Sequence, residues 1–119
     1  PAAPAGAYEA ASPAATSTYT SPNASAGHVA PGETYACGVG NLCDLVWDPT
    51  VNKWELFRMF YCNRYYVYYW NGGGYFWNNQ TSGTVARFYD QNGNTLRTDT
   101  APTGQTSINW GPVYSIRNC

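Results

Sequence analysis

The stretch from residue 65 to residue 77 reads YYVYYWNGGGYFW and carries eight aromatic side chains among its thirteen residues. The remaining positions are Val67, Asn71 and three glycines. Aromatic and β-branched side chains favour strands, and Asn-Gly between two such runs favours a turn. The stretch therefore predicts two antiparallel strands joined through residues 71–74, that is, a β-hairpin.

The register of this predicted hairpin divides its side chains between two faces. If Trp70 lies opposite Tyr75, strict alternation places Val67, Tyr69 and Phe76 on the more apolar face, which we predict to be core. The other face is a patch of amphipathic aromatics, a composition enriched at binding hot spots, and is the predicted partner-binding surface: Tyr66, Tyr68, Trp70, Tyr75 and Trp77. Two structural alternatives stay open. Both faces could be buried, one of them beneath the N-terminal segment, or the outer aromatics could merely stabilise one another across the strands.

Composition and length favour one small all-β domain. The chain has 119 residues, of which 17% are aromatic, 11% are charged and 12 are glycines. Aromatic residues suit a pleated sheet, and glycine supplies its turns. The net charge of −1 and the lack of a basic run argue against binding to nucleic acid or to an anionic membrane surface. The apolar runs are too short to span a bilayer.

Regularly spaced strand signals extend from Cys37 to the end of the chain. Turn sequences such as Asp48-Pro49-Thr50 and residues 90–94 separate short aromatic and β-branched runs. Strands are predicted near residues 42–47, 54–60, 64–70, 75–78, 84–89, 95–98 and 113–117. Several short strands at this spacing, without amphipathic helices, predict a β-sandwich or barrel.

The four cysteines, Cys37, Cys43, Cys62 and Cys119, predict two disulfides. A zinc site is disfavoured because close cysteine pairs of the C-x-x-C type are missing and the single histidine, His28, lies outside the cysteine-bearing region. Disulfides persist in oxidising compartments. Since the chain begins PAAPAG, without Met or an apolar signal core, we expect a mature secreted protein. Three pairings of the four cysteines are possible.

Residues 1–36 differ in composition from the rest and are dominated by Ala, Pro, Ser, Thr and Gly. The prolines exclude a long helix. One interpretation is an extended linker that buries too little to become ordered. The other is an extended arm that docks on its own domain or on another chain, with Tyr19 in TSTYTSP (residues 16–22) as the anchor of an added strand. The predicted division is therefore an N-terminal arm, 1–36, and a disulfide-bonded β-domain, 37–119.

Two segments look like successive halves of one repeated pattern. The first runs from LCDLVW (42–47) to WNNQTSG (77–83), and the second runs from RFYD (87–90) through NGN (92–94) to VYSIRN (113–118). With the Gly-flanked pair in CGVGNLC (37–43), this arrangement resembles small secreted bacterial proteins of the βγ-crystallin type, which include peptidase inhibitors and antifungal, killer-toxin-like proteins. The resemblance implies a Greek-key β-sandwich over residues 37–119. It also implies the pairing Cys37–Cys43 and Cys62–Cys119.

The resemblance also raises the question of calcium. Crystallin-type sites resemble N/D-N/D-x-x-S/T-S, and Asn78, Asn79 and Ser82 match this pattern, but Gly83 replaces the final Ser. Ca²⁺ prefers carboxylates among its oxygen ligands, and this loop has none. A polar turn whose Asn side chains bond to nearby backbone is the favoured interpretation. These three residues are therefore only a weak calcium candidate, and we expect no cofactor.

Catalytic residues are not evident in the sequence, and we expect a protein that is not an enzyme. His28 lies in the arm, so the domain has no histidine base unless the arm folds back. The cysteines are committed to disulfides, which leaves no thiolate nucleophile. Asp48, Asp90 and Asp99 occupy turn-like positions. Asp44 and Glu55 could form a glycosidase-type pair, but no sequence feature places them together.

Three functional hypotheses follow. The first is a secreted, non-enzymatic protein-binding module, acting as a peptidase inhibitor-like binder or through its N-terminal arm. The second is an adaptor subunit of a secreted, toxin-type assembly with residues 1–36 inserted in another protein. The third is a carbohydrate- or cell-wall-binding antimicrobial protein, since stacked Tyr and Trp suit sugar faces. Another secreted protein is the expected partner, and deletion of residues 1–36 should impair partner binding only under the adaptor hypothesis.

Overall fold

The computed structural model describes residues 2–4 and 16–119, and this part of the chain forms ten β-strands and no helix. Strands are numbered in chain order. Sheet I has the order β1 (Tyr19–Ser21), β5 (Arg64–Tyr68), β10 (Ser115–Arg117), β7 (Val85–Tyr89) and β8 (Thr95–Thr100). Sheet II has the order β2 (Ser25–Val29), β4 (Lys53–Met59), β3 (Asn41–Asp48), β6 (Gly73–Asn79) and β9 (Thr106–Asn109). All strand pairs are antiparallel, and the predicted all-β sandwich is confirmed.

The main hydrophobic core lies between the two sheets. Sheet I contributes residues such as Val67, Phe88 and Ile116, and sheet II contributes Leu42, Phe57 and Phe76, all of them buried. Burial of apolar surface stabilises by about 25 cal/mol per Å² removed from water, so this shared core is what holds the two sheets together. The described residues contain no helix that could span a membrane.

A second apolar cluster covers the opposite, outer face of sheet II. It contains Trp47, Trp54 and Leu56 from the sheet and Ala3 and Val29 from the N-terminal region. Ala3 exchanges backbone hydrogen bonds with Gly32 and Glu33, and the Trp54 indole N–H donates to the Pro4 carbonyl at 2.7 Å. Sheet II is therefore covered on both faces, by sheet I and by the N-terminal segment.

The segment before Cys37 supplies one edge strand to each sheet. Strand β1 pairs with β5 in sheet I, and β2 pairs with β4 in sheet II. Residues 19–29 thus dock in cis, and Tyr19 lies opposite Tyr68 in an added strand of the same chain. Residue 1 and residues 5–15 of the predicted arm lie outside the described residues.

The predicted hairpin over residues 65–77 is wrong. Strand β5 ends at Tyr68 and belongs to sheet I, whereas β6 begins at Gly73 and belongs to sheet II. Tyr69 has a φ of 63° and Gly72 a φ of 72°, so the chain leaves one sheet and crosses to the other instead of folding back on β5. Because Tyr69 interrupts the alternation, it is 54% exposed, whereas Trp70 is 3% exposed. The core assignment was right for Val67 and Phe76 and wrong for Tyr69.

Both disulfides have the predicted pairing, Cys37–Cys43 and Cys62–Cys119. The first closes the turn that leads into β3. The second joins Cys62, in the turn before β5, to Cys119, two residues after the end of β10. Strands β5 and β10 are neighbours in sheet I. The second bridge therefore reinforces a connection that sheet I already makes.

Replacing both Cys37 and Cys43 with Ala should lower the free energy of unfolding by about 2 kcal/mol. The loop that this bridge closes is short, with a sequence separation of 6, so its removal returns little chain entropy to the unfolded state. Urea unfolding followed by tryptophan fluorescence measures the change, with wild type as the reference and the second bridge intact in both. An unchanged unfolding midpoint would contradict the prediction.

Candidate functional site

The predicted partner-binding residues lie in three separate places. Tyr19, Tyr66 and Tyr68 are exposed on the outer face of sheet I. Trp70 is buried between the sheets, where its ring stacks on Phe57 with centroids 4.8 Å apart. Tyr75 and Trp77 lie on the outer face of sheet II. The single aromatic patch predicted from the sequence is therefore wrong as a geometrical unit.

Tyr75 and Trp77 are half-buried by neighbouring side chains. Tyr75 meets the Trp54 ring edge to face at 5.8 Å, and Trp77 meets the Tyr35 ring in the same way at 5.7 Å. Both belong to the cluster that the N-terminal segment covers. Trp77 therefore packs against the N-terminal segment, one of the two structural alternatives, whereas the aromatic partner of Tyr75 is Trp54 of sheet II.

Five exposed tyrosines remain together on the sheet I side, and we call them the tyrosine surface: Tyr19, Tyr66, Tyr68, Tyr69 and Tyr114. The β1–β5 pairing puts Tyr19 opposite Tyr68, and their rings stack with centroids 4.6 Å apart and planes 10° from parallel. The Tyr69 ring lies 6.2 Å from that of Tyr19. Aromatic contact of this kind restricts ring motion and so presents a preorganised surface.

The tyrosine surface borders an open groove of about 570 Å³. Four of the five tyrosines line it, and its buried lining includes Val67, Trp70 and Val113. Phenol groups therefore surround an apolar base. This combination of apolar area and hydrogen-bonding rim is common at protein interfaces and ligand grooves.

Two of these tyrosines were missed as surface residues by the sequence analysis. Tyr69 was assigned to the core because a positive φ at an aromatic residue is uncommon and no sequence signal announces it. Tyr114 precedes β10, where its N–H donates to the Tyr89 carbonyl at 2.8 Å and its carbonyl accepts from the Val67 N–H at 3.1 Å. Strict alternation would have placed Tyr114 on the same face as Ile116, which is in the core, so the pattern of residues 113–117 does not indicate that Tyr114 is exposed.

A second polar site forms where the segment before β1 meets sheet II, and we call His28, Asp48 and Glu55 the His28 cluster. His28 Nε2 lies 3.1 Å from Asp48 Oδ2 and 3.4 Å from Glu55 Oε1. The cluster arises because β2 pairs with β4 and places His28 opposite Glu55. The arm does fold back, and Asp48, expected in a turn, is fully buried at the end of β3.

The hydroxyl groups of Ser17 and Thr18 bind the two carboxylates of the His28 cluster, and the surroundings of each carboxylate shift its pKa. Ser17 donates to Asp48 at 3.0 Å, and Thr18 donates to Glu55 at 3.2 Å. Burial alone would raise the pKa of Asp48, but hydrogen bonds from Thr50, His28 and Ser17 hold it below its ordinary value. Burial raises the pKa of Glu55 above its ordinary value, although the His28 charge and the Thr18 hydrogen bond act in the opposite direction. As the pH falls, Glu55 therefore takes up a proton before Asp48.

The His28 cluster brings three possible ligand atoms within 4.8 Å of one another, close enough to hold a small divalent cation. Its observed contacts are structural, because Ser17 and Thr18 attach the segment before β1 to strands of sheet II. Ser17 and His28 both bond to Asp48 Oδ2, so these contacts do not place His28 as a base for the Ser17 hydroxyl.

The weak calcium candidates have other hydrogen-bond partners. The Asn78 amide donates to the Asp99 carbonyl and accepts from Gln80, and the Asn79 amide donates to the Cys37 carbonyl at 2.7 Å. These bonds differ from the favoured interpretation of a polar turn, because Asn78 and Asn79 lie at the end of β6 and donate to backbone that is distant in the chain. Ser82 is exposed in the turn before β7.

Comparison with protein-family models, with curated proteins and with solved structures returns no match for this chain. The resemblance to βγ-crystallin-type inhibitors and antifungal proteins therefore stays a prediction.

Proposed function

We propose that this protein is a secreted, non-enzymatic binding module that recognises another protein through its tyrosine surface, in the manner of a peptidase inhibitor-like binder. The observation that carries the proposal is the gathering of five exposed tyrosines, four of which line an open groove. Tyrosine is enriched at interface hot spots because it buries a large area and still offers a hydroxyl group.

Secretion is part of the same proposal. Two disulfides in a small β-sandwich are compatible with an extracellular protein. Such bridges persist in oxidising compartments and supplement a core of limited size.

The tyrosine surface supports this proposal better than the N-terminal segment supports an adaptor. Strands β1 and β2 already serve as edge strands of their own molecule, so the backbone groups on one side of each strand are bonded in cis. A strand inserted in a partner needs those same groups free. The cell-wall hypothesis is retained as a competing outcome of the experiment below.

Replacing both Tyr19 and Tyr68 with Ser should weaken partner binding about tenfold or more, because the change removes the stacked pair beside the groove. The full chain is immobilised, secreted proteins from culture medium of the producing organism are captured and identified, and the affinity of the purified partner is measured by calorimetry. Secreted peptidases are the first candidates to test.

Tyr61→Ser is the matched control, because Tyr61 is exposed in the turn before β5 and does not line the groove. It should leave the affinity unchanged. Equal losses in the two variants would show that the tyrosine surface has no special role. Retention of chitin or wall material without any protein partner would overturn the proposal in favour of carbohydrate binding.

A further inference from the structure

Three arginines form a row across the outer face of sheet I, and we call them the arginine row: Arg64, Arg117 and Arg87. Arg117 on β10 lies opposite Arg64 on β5 and opposite Arg87 on β7. Residues opposite each other on antiparallel strands point to the same face. Adjacent strands are about 4.8 Å apart, so three cationic side chains leave the sheet within about 10 Å.

The arginine row is a local concentration of positive charge that the net charge of the chain does not indicate. The whole chain has only 6 Lys and Arg and a net charge of −1, yet half of its cations lie in this row. Like charges directly opposite each other on a sheet destabilise it. Within the described part of the chain, ion pairs are found only at His28, so no carboxylate there lies within 4.0 Å of these guanidinium groups. Among the described residues, the three guanidinium groups thus have no carboxylate partner.

The arginine row adjoins the tyrosine surface. Tyr66 follows Arg64 by two positions on β5 and shares its face, about 6.7 Å farther along the strand. The Arg64 guanidinium lies over the Tyr89 ring at 4.2 Å, a contact that fixes its direction. Arg117 is exposed, whereas Arg64 and Arg87 are half-buried. Cationic and aromatic groups therefore form one continuous face.

We propose that the arginine row binds carboxylate groups of the protein partner, so that the partner's docking surface carries clustered Asp or Glu opposite the row. This inference rests on the proposed function and specifies the chemistry of the partner. Guanidinium groups pair with carboxylates through two parallel hydrogen bonds, and each such pair relieves the repulsion within the row.

The dimensions of the row favour a protein over a long polyanion. Three cations are bounded on the same face by Thr98 of β8 on one side and by uncharged Tyr66 and Ser115 along the strands. A wall polymer with repeated phosphates gains from a long cationic track, which this face does not provide. A small group of acidic side chains set in an otherwise polar and aromatic interface matches both the row and the tyrosine surface.

The test is titration of the full chain with a hexaglutamate peptide, followed through the Arg Nε–Hε signals in ¹⁵N-correlated NMR spectra. The signals of the three row arginines should shift, and the binding should weaken as salt is raised from low to physiological concentration. Arg117→Gln should weaken binding about fivefold, and Arg117→Glu should weaken it more strongly. Lys53→Gln, an exposed strand residue of sheet II with the same change in charge, should have no effect.

A hexaglutamate peptide that moves none of the row signals, or equal losses in Arg117→Gln and Lys53→Gln, would overturn the inference. Binding to isolated teichoic acid but not to hexaglutamate would also overturn it, in favour of a wall polyanion.

The purified partner separates the two proposals. If Tyr19→Ser/Tyr68→Ser loses that partner and Arg117→Glu keeps it, the tyrosine surface is right and the carboxylate inference is wrong. If hexaglutamate binds at the row while no protein partner exists, the proposed function fails and the row remains a carboxylate site.

Discussion

Gly74→Ala should destabilise the protein by about 2–5 kcal/mol. A Cβ atom at Gly74 would overlap sterically with the Trp110 indole nitrogen and the Leu45 carbonyl oxygen. These two groups are themselves hydrogen-bonded at 2.8 Å, and Trp110 is completely buried between the sheets. The methyl group therefore displaces a core tryptophan and leaves a buried donor without its acceptor. The free energy of unfolding is measured by urea denaturation, read by fluorescence and circular dichroism.

The neighbouring Gly73 supplies the matched control. It lies in the same strand and the same glycine triplet, but a Cβ atom there meets no atom within 4 Å. Gly73→Ala should change stability by less than about 0.5 kcal/mol, as surface substitutions usually do. If the two variants lose equal stability, glycine in this segment matters for backbone freedom and not for the approach of Trp110.

Asp44→Asn should stabilise the protein at neutral pH. Asp44 is fully buried in β3 opposite Phe57 and Phe76, and neither of its carboxylate oxygens has a hydrogen-bond partner among the described residues. Burial raises the pKa of Asp44 well above its ordinary value, because the charged form loses its hydration without compensation. Removing one partner of a buried ion pair costs about 3–5 kcal/mol because a buried charge is left without compensation. Replacing the ionisable Asp44 by neutral Asn is therefore favourable.

The sign of the pH dependence follows from that raised pKa. Below the ordinary pKa of an aspartate, the folded and unfolded chains both carry a proton on Asp44, and wild type and Asp44→Asn should have similar stability. Between that pKa and the raised pKa of the folded state, unfolding releases the proton, and wild type loses about 1.4 kcal/mol per pH unit relative to the variant. Urea unfolding of both proteins from pH 3 to pH 8 measures the difference. A difference that stays constant over this range would contradict the assignment.

The positions of most strands could be predicted from the sequence because they depend on local patterns. All seven predicted strands are present, from β3 to β8 and β10, and the cysteine pairing agrees with the one that the resemblance implied. Strands β2 and β9 were missed and are short, with sequences SAGHV and TSIN, whereas β1, with sequence YTS, was anticipated only as one of two interpretations of the arm. Such segments become strands because an existing edge offers them backbone partners, which their own side chains do not reveal.

The candidate surface was harder to predict because it depends on one backbone angle and on pairing between distant segments. A positive φ at Tyr69 reverses the inside–outside order of Tyr69 and Trp70. The stacking of Tyr19 on Tyr68 requires β1 to join β5. The arginine row requires three strands to be aligned, although Arg64, Arg87 and Arg117 are far apart in the chain. Alternation along single strands contains none of this information.

The split placement of residues 19–29 changes what a truncated chain would be. With β1 in one sheet and β2 in the other, cleavage before Cys37 would strip a border strand from each sheet and leave the long strand β4 and the tyrosine-bearing strand β5 with open edges. Unpaired edges recruit strands from other molecules. Deleting residues 1–36 would therefore yield a fragment whose exposed sheet edges pair with strands of other molecules. A loss of partner binding by that fragment could then result from the damaged sheets as well as from the missing arm. Point changes within the intact chain are the sounder way to locate the binding surface.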